Sequence, residues 1–152
     1  MSEENETIKQ TILDILKETF ILPQGIYLDR AKGGLLHTLG QISAETASRS
    51  TANQQGIAAH VEHTRVYLVA LHGYMNGAMG NTDWDASWQT KIVSDLEWQA
   101  LLENTKQAYD ALVKDLLALD DHDSRLGYGV VIVTHTAYHF GAIRQLMSRK
   151  SR

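Results

Sequence analysis

The sequence predicts an all-α protein, specifically a four-helix bundle with an extra N-terminal helix, and two observations carry that reading. There is a single proline, Pro23, and the β-branched residues seldom alternate with polar ones, which argues against strands. Apolar residues instead recur at i, i+3 and i+4 in long blocks, the spacing that lines one face of a helix. At 152 residues the chain is one ordinary domain, long enough to bury a core without a disulfide or a structural metal.

The first block, about Glu4 to Phe20, sets Ile8, Ile12, Ile15 and Leu16 on one stripe before "ILPQG" interrupts it. A second, about Gln24 to Leu39, presents Leu28, Ala31, Leu35, Leu36 and Leu39, and the two form either one kinked helix or two. The polar connector "GQISAETASRSTANQQ" contains Thr51 to Gln54, which has the T-x-x-Q form of a capping box. A helix is expected from there to about Asn76, with Ile57, Val61, Leu68, Leu71 and Met75 sharing a face with His60 and Thr64.

The stretch "GAMGNTDWDASWQTKIV" has no helical period and exceeds the usual length of a helix connection, so it reads as a packed or functional loop that could roof a site. Ser94 to Glu97 forms a second capping box. It opens a helix to about Leu119 whose stripe is Trp98, Leu101, Leu102, Thr105, Ala108, Tyr109, Leu112 and Leu116. Asp123 is the expected N-cap of a last helix, about Ser124 to Ser148, which places Tyr128, Val131, Ile132, Tyr138, Ala142, Ile143 and Leu146 on or beside the inner face.

Composition excludes several classes of function. There is no cysteine, so disulfide scaffolds, thiolate metal sites and a cysteine nucleophile are ruled out together, and a metal could be held only by His, Asp or Glu. The net charge of −4 argues against nucleic-acid binding, which needs clustered Lys and Arg. The one basic cluster, "SRKSR" at Ser148 to Arg152, reads as a helix C-terminus complementing the macrodipole. An acidic, polar start, "MSEENETIKQ", and the lack of any run of about 20 apolar residues point to a cytoplasmic protein with no membrane partner.

The chemistry lies in "VVIVTHTAYHFGAIRQLM". Residues four apart on a helix stack one turn over the other about 6 Å apart, so His135 and His139 can aim at one point. On an apolar face few groups satisfy their ring nitrogens, and a metal would. His60, in "GIAAHVEHTRVYL", lies on an inner stripe that a bundle can bring against the last helix, which makes it the expected third ligand. Three neutral imidazoles with an open position suit catalytic zinc, and nickel or iron as well. His63 competes for that role, or serves as an outer donor, an acid/base group or a surface residue. His37, His72 and His122 have no partner at chelating spacing.

The elements "AAHVEHTRVYL", "DWDASW", "LEWQALL" and "HTAYHFGAIRQL" together resemble the DinB/YfiT-like metalloenzyme superfamily over roughly Gly25 to Met147. The resemblance implies a small four-helix bundle, a divalent metal (zinc or nickel first) on His60, His135 and His139, and a homodimer. Family members with assigned activity are transferases or isomerases that use a low-molecular-weight thiol of the bacillithiol, mycothiol or glutathione type. Ala142 stands where many relatives have Gln, and "SRSTANQQ" where many have Trp, so substrate identity is not carried over.

The function expected is therefore that of a metal-dependent, thiol-dependent S-transferase, or a metal-dependent hydrolase, acting on a small molecule. His63, Tyr138, Arg65 and Glu62 are candidates to steer substrate or move protons, and Trp84 and Trp88 to wall the pocket. The alternatives are a non-catalytic metal- or small-ligand-binding dimer and a hydrogen-bonded histidine core without metal.

Overall fold

The computed structural model of the protein describes residues 7–78, 80–90 and 92–148. It contains α1 (Ile8–Phe20), α2 (Leu35–Gly40), α3 (Ala44–Ala47), α4 (Ile57–Met75), α5 (Asp95–Leu117) and α6 (Gly127–Ser148), with short 3-10 turns at Ala86–Trp88 and Ser124–Leu126. Among the described residues there is no strand, as the period of the apolar residues required. The start expected at Glu4 and the basic tail after Ser148 lie outside the described residues.

α4 packs against both α5 and α6, while α1 lies against α6 and α5, and one hydrophobic cluster runs through all of them. The extra N-terminal helix is thus corrected to an integral core element. Its buried stripe is Ile12, Leu16 and Phe20, with Ile8 70 % exposed and Ile15 half-buried, because spacings of four keep one row facing α5 and α6. Thr7 caps α1 by accepting the Gln10 N–H. At the other contact Lys9 Nζ donates to the carbonyls of Leu117 and Leu119 at 2.8 and 2.7 Å, supplying partners where α5 leaves acceptors unpaired.

Gly129 makes the α1–α6 approach possible: a Cβ there would lie 2.4 Å from Ile12 Cγ2. Ile132, Thr136, His139, Phe140 and Ile143 complete the buried face of α6. Two residues expected beside that face are exposed instead, Val131 at 43 % and Tyr138 at 75 %, since they fall at its edge and away from it.

The helix expected over Gln24 to Leu39 is corrected to a loop followed by α2. Its organiser is Glu18, whose fully buried carboxylate accepts the N–H groups of Gln24, Ile26, Tyr27 and Leu28. Burial raises the pKa of this group, but the four donors outweigh it and the net shift is downward. Donors committed to a side chain cannot serve a helix ladder, and Gly25 and Gly33, at φ 83° and 72°, turn the chain at both ends of the loop.

The T-x-x-Q sequence is also corrected. Thr51 and Gln54 exchange backbone hydrogen bonds at 3.1 and 3.3 Å, closing a tight turn, and α4 begins only after Gly56. The Ser94 box forms as expected, with Glu97 N–H donating to Ser94 Oγ and Ser94 N–H to Glu97 Oε1, both at 3.1 Å. The α5 stripe is buried from Trp98 to Leu116 apart from the half-buried Leu102, and Trp98 Nε1 donates to the Ile42 carbonyl at 2.9 Å. Asp123 caps the turn that leads into α6. No helix among the described residues is long and apolar enough to cross a membrane.

A candidate metal centre of clustered histidines

The α4–α6 contact brings together four imidazoles, His60 and His63 from α4 with His135 and His139 from α6. Helical spacing of three on α4 and four on α6 places all of them on facing stripes. His63 and His139 are buried, and His60 and His135 half-buried.

Nε2 of His135 stands 3.2 Å from Nε2 of His63 and 3.2 Å from Nε2 of His139. One donor nitrogen from each of these three lies within 4.8 Å of the others, the convergence a metal ion needs. Zinc–nitrogen bonds of 2.0–2.1 Å in a tetrahedral shell set neighbouring nitrogens about 3.3 Å apart. The two spacings from His135 meet that requirement. His60 lies elsewhere in the cluster: its Nδ1 is 2.9 Å from Nδ1 of His139, the opposite ring nitrogen from the one facing His135.

Hydrogen bonding fixes the proton of His63. Ser87 Oγ donates to the Trp84 carbonyl at 2.6 Å, so at its 2.7 Å contact with His63 it accepts from Nδ1–H. The neutral ring then carries a lone pair on Nε2, the atom that faces His135. Nδ1 of His135 is buried and has no protein partner among the described residues, and the ring is held by stacking on Tyr67 at 3.6 Å.

The long loop does roof the cluster. Trp88 stacks on His63 at 4.1 Å and meets His60 edge-on at 5.3 Å, while Trp84 stands 6.0 Å from His63 and 5.6 Å from Tyr67. Burial, then the charge of neighbouring imidazoles, pushes His139 down to about 3 and His135 to about 4. His60 and His63 are lowered too, in each case first by burial. The cluster is therefore neutral near pH 7, the form in which imidazole ligates a metal.

The other sequence candidates sit apart or at the edge. Tyr138 touches the His139 ring edge-on at 5.2 Å and is otherwise in solvent. Arg65 is held by Glu62 through two hydrogen bonds of 2.7 Å, and both line an open groove with Thr90, Val93 and Glu97. His72 pairs with Asp115. Sequence reasoning missed Ser87 and Tyr67. Tyr67 follows His63 by one helical turn, which was a legible signal; Ser87 carried none beyond its place between the two tryptophans.

Comparison of the chain with protein-family models, curated proteins and solved structures finds no match.

Proposed function

We propose that the protein is a divalent-metal-binding, metal-dependent transferase of the DinB/YfiT-like kind, a four-helix bundle in which His63, His135 and His139 hold the ion. The observation that carries the metal reading is that Nε2 of His135 stands 3.2 Å from Nε2 of both His63 and His139, one nitrogen of each of the three lying within 4.8 Å of the others, with the proton of His63 already parked on Nδ1. With Ser87 holding the proton of His63 on Nδ1, the lone pair on Nε2 of that ring is free to point at a common centre. Zinc or nickel suits an all-imidazole donor set.

Held by the neutral imidazoles of His63, His135 and His139, such an ion would keep its full charge and would supply Lewis acidity toward a bound thiol. The chain contributes no thiol of its own, consistent with one that arrives as a cofactor. Trp88 and Trp84 keep water from one side of the cluster, Ser87 holds the His63 tautomer, and Tyr67 holds the plane of His135. Tyr138, exposed beside His139, is the group positioned to meet an incoming substrate. A homodimer belongs to the same proposal and rests on the family resemblance.

The test is elemental analysis of untagged protein followed by thiol-conjugation assays on the loaded form. About one ion per chain with thiol-dependent turnover supports the full proposal. One ion per chain without turnover, across small thiols and electrophiles, leaves a non-catalytic metal protein.

A further inference from the structure

The four imidazoles do not make equivalent contacts. His63 and His139 each present Nε2 to Nε2 of His135, whereas His60 presents Nδ1 to Nδ1 of His139. We propose that His60 is a positioning residue, which accepts the Nδ1–H of His139 and so holds that ring in the tautomer able to ligate through Nε2. This inference rests on the metal reading above.

A neutral histidine has one N–H and one lone pair, and a ligand histidine must keep its lone pair on the nitrogen that faces the ion. For His139 that nitrogen is Nε2, so its proton resides on Nδ1 and needs an acceptor in a buried setting. The acceptor within reach is Nδ1 of His60 at 2.9 Å, which places the proton of His60 on its own Nε2. Ser87 does the same for His63, so two of the three Nε2 donors have their proton fixed from behind by a different group.

The position of His60 is itself constrained. Thr64 Oγ1 donates to the His60 carbonyl at 2.8 Å, and the ring is walled edge-on by Trp88 and tilted against His139 at 5.2 Å between centroids. The two ring nitrogens of His139 open to different edges of the ring, so a group bonded to Nδ1 is on the wrong side to share an ion on Nε2. Outer partners of this kind are commonly carboxylates. An imidazole in that place orients the ligand without adding negative charge, which leaves the charge of the ion uncompensated.

The experiment is zinc titration against a chromophoric chelator at fixed pH for the wild type, His60→Leu, His60→Gln and His63→Leu, each first checked for folding by helical circular dichroism. The inference expects His60→Leu to retain one ion per chain but bind about 10- to 100-fold more weakly. His60→Gln, whose side-chain oxygen can accept a hydrogen bond, should recover much of the loss, and His63→Leu should lose stoichiometric binding.

Nitrogen-15 spectra of the zinc-loaded wild type should show His139 protonated at Nδ1, a readout that needs no variant to fold. Three results overturn the inference: His60→Leu binding zinc as tightly as wild type, His60→Leu losing the ion while His63→Leu keeps it, or His139 protonated at Nε2. Wild-type protein that binds no zinc removes the metal reading and this inference together, whereas the first three leave a metal site standing.

Discussion

Nδ1 of His63 stands 2.7 Å from the Ser87 hydroxyl, and that hydroxyl spends its own proton on the Trp84 carbonyl at 2.6 Å. The roof loop therefore reaches into the cluster and sets the tautomer of an imidazole on α4. Ser87→Ala removes the acceptor and frees the proton to move to Nε2. Metal affinity, measured by chelator competition, should fall about 10- to 100-fold with the helical content unchanged. Affinity equal to wild type would show that the hydroxyl has no part in the site.

Acid should destabilise the metal-free protein through the same histidines. In the folded state His135 and His139 are depressed to about 4 and about 3, against about 6.5 for an unfolded histidine. Below pH 6.5 the unfolded chain takes up protons that the folded cluster refuses, so the contribution to stability is present above that pH and is lost as pH falls toward 4 and 3. Urea midpoints of the metal-free protein between pH 7.5 and 4.5 should fall steadily, and more steeply than in His139→Leu. Parallel profiles for the two proteins would remove the burial argument.

The loop between α1 and α2 should depend on Glu18. Glu18→Gln replaces one carboxylate oxygen with an amide NH2 group, a donor that faces N–H groups instead of accepting from them. Stranding buried donors costs about 2–4 kcal/mol here, by the usual penalty for unmet hydrogen bonds to a charged group. Equilibrium urea denaturation measures it, and a change under about 0.5 kcal/mol, the size of an ordinary surface substitution, would contradict the assignment.

Close approach of α1 and α6 should make Gly129 intolerant of a side chain. In Gly129→Ala the added carbon would meet Ile12 Cγ2 at 2.4 Å, an overpacking that costs about 1–3 kcal/mol. Ile12→Ala in the same chain removes the clashing atoms, so the double variant should be more stable than the two single losses added together. Strict additivity in thermal or urea unfolding would place the two residues apart.

What the sequence disclosed follows the range of the interactions involved. The α5 stripe, the Ser94 box, the Asp123 cap and the extent of α4 toward Asn76 are set within a few residues, and the spacing of side chains reveals them. The segment after Phe20 was misread because its apolar spacing matches a helix, while the deciding partner is a buried carboxylate six to ten residues upstream. Thr51 and Gln54 satisfy a helix-start pattern that a tight turn satisfies equally well.

At the site, His135 and His139 were legible from their spacing, and the α4 stripe pointed to both His60 and His63. Which of those two turns its Nε2 to the other helix depends on the rotation of α4 against α6 and on Ser87 in the roof. No local pattern encodes that.

The central claim is that His63, His135 and His139 hold a divalent ion. Elemental analysis of untagged protein, after incubation with zinc or nickel and removal of excess, tests it most directly when His63→Ala and His135→Ala are taken through the same procedure. The account expects about one ion per chain in the wild type and none in either folded variant. A metal-free wild type, or a His63→Ala protein that keeps its ion, would contradict it.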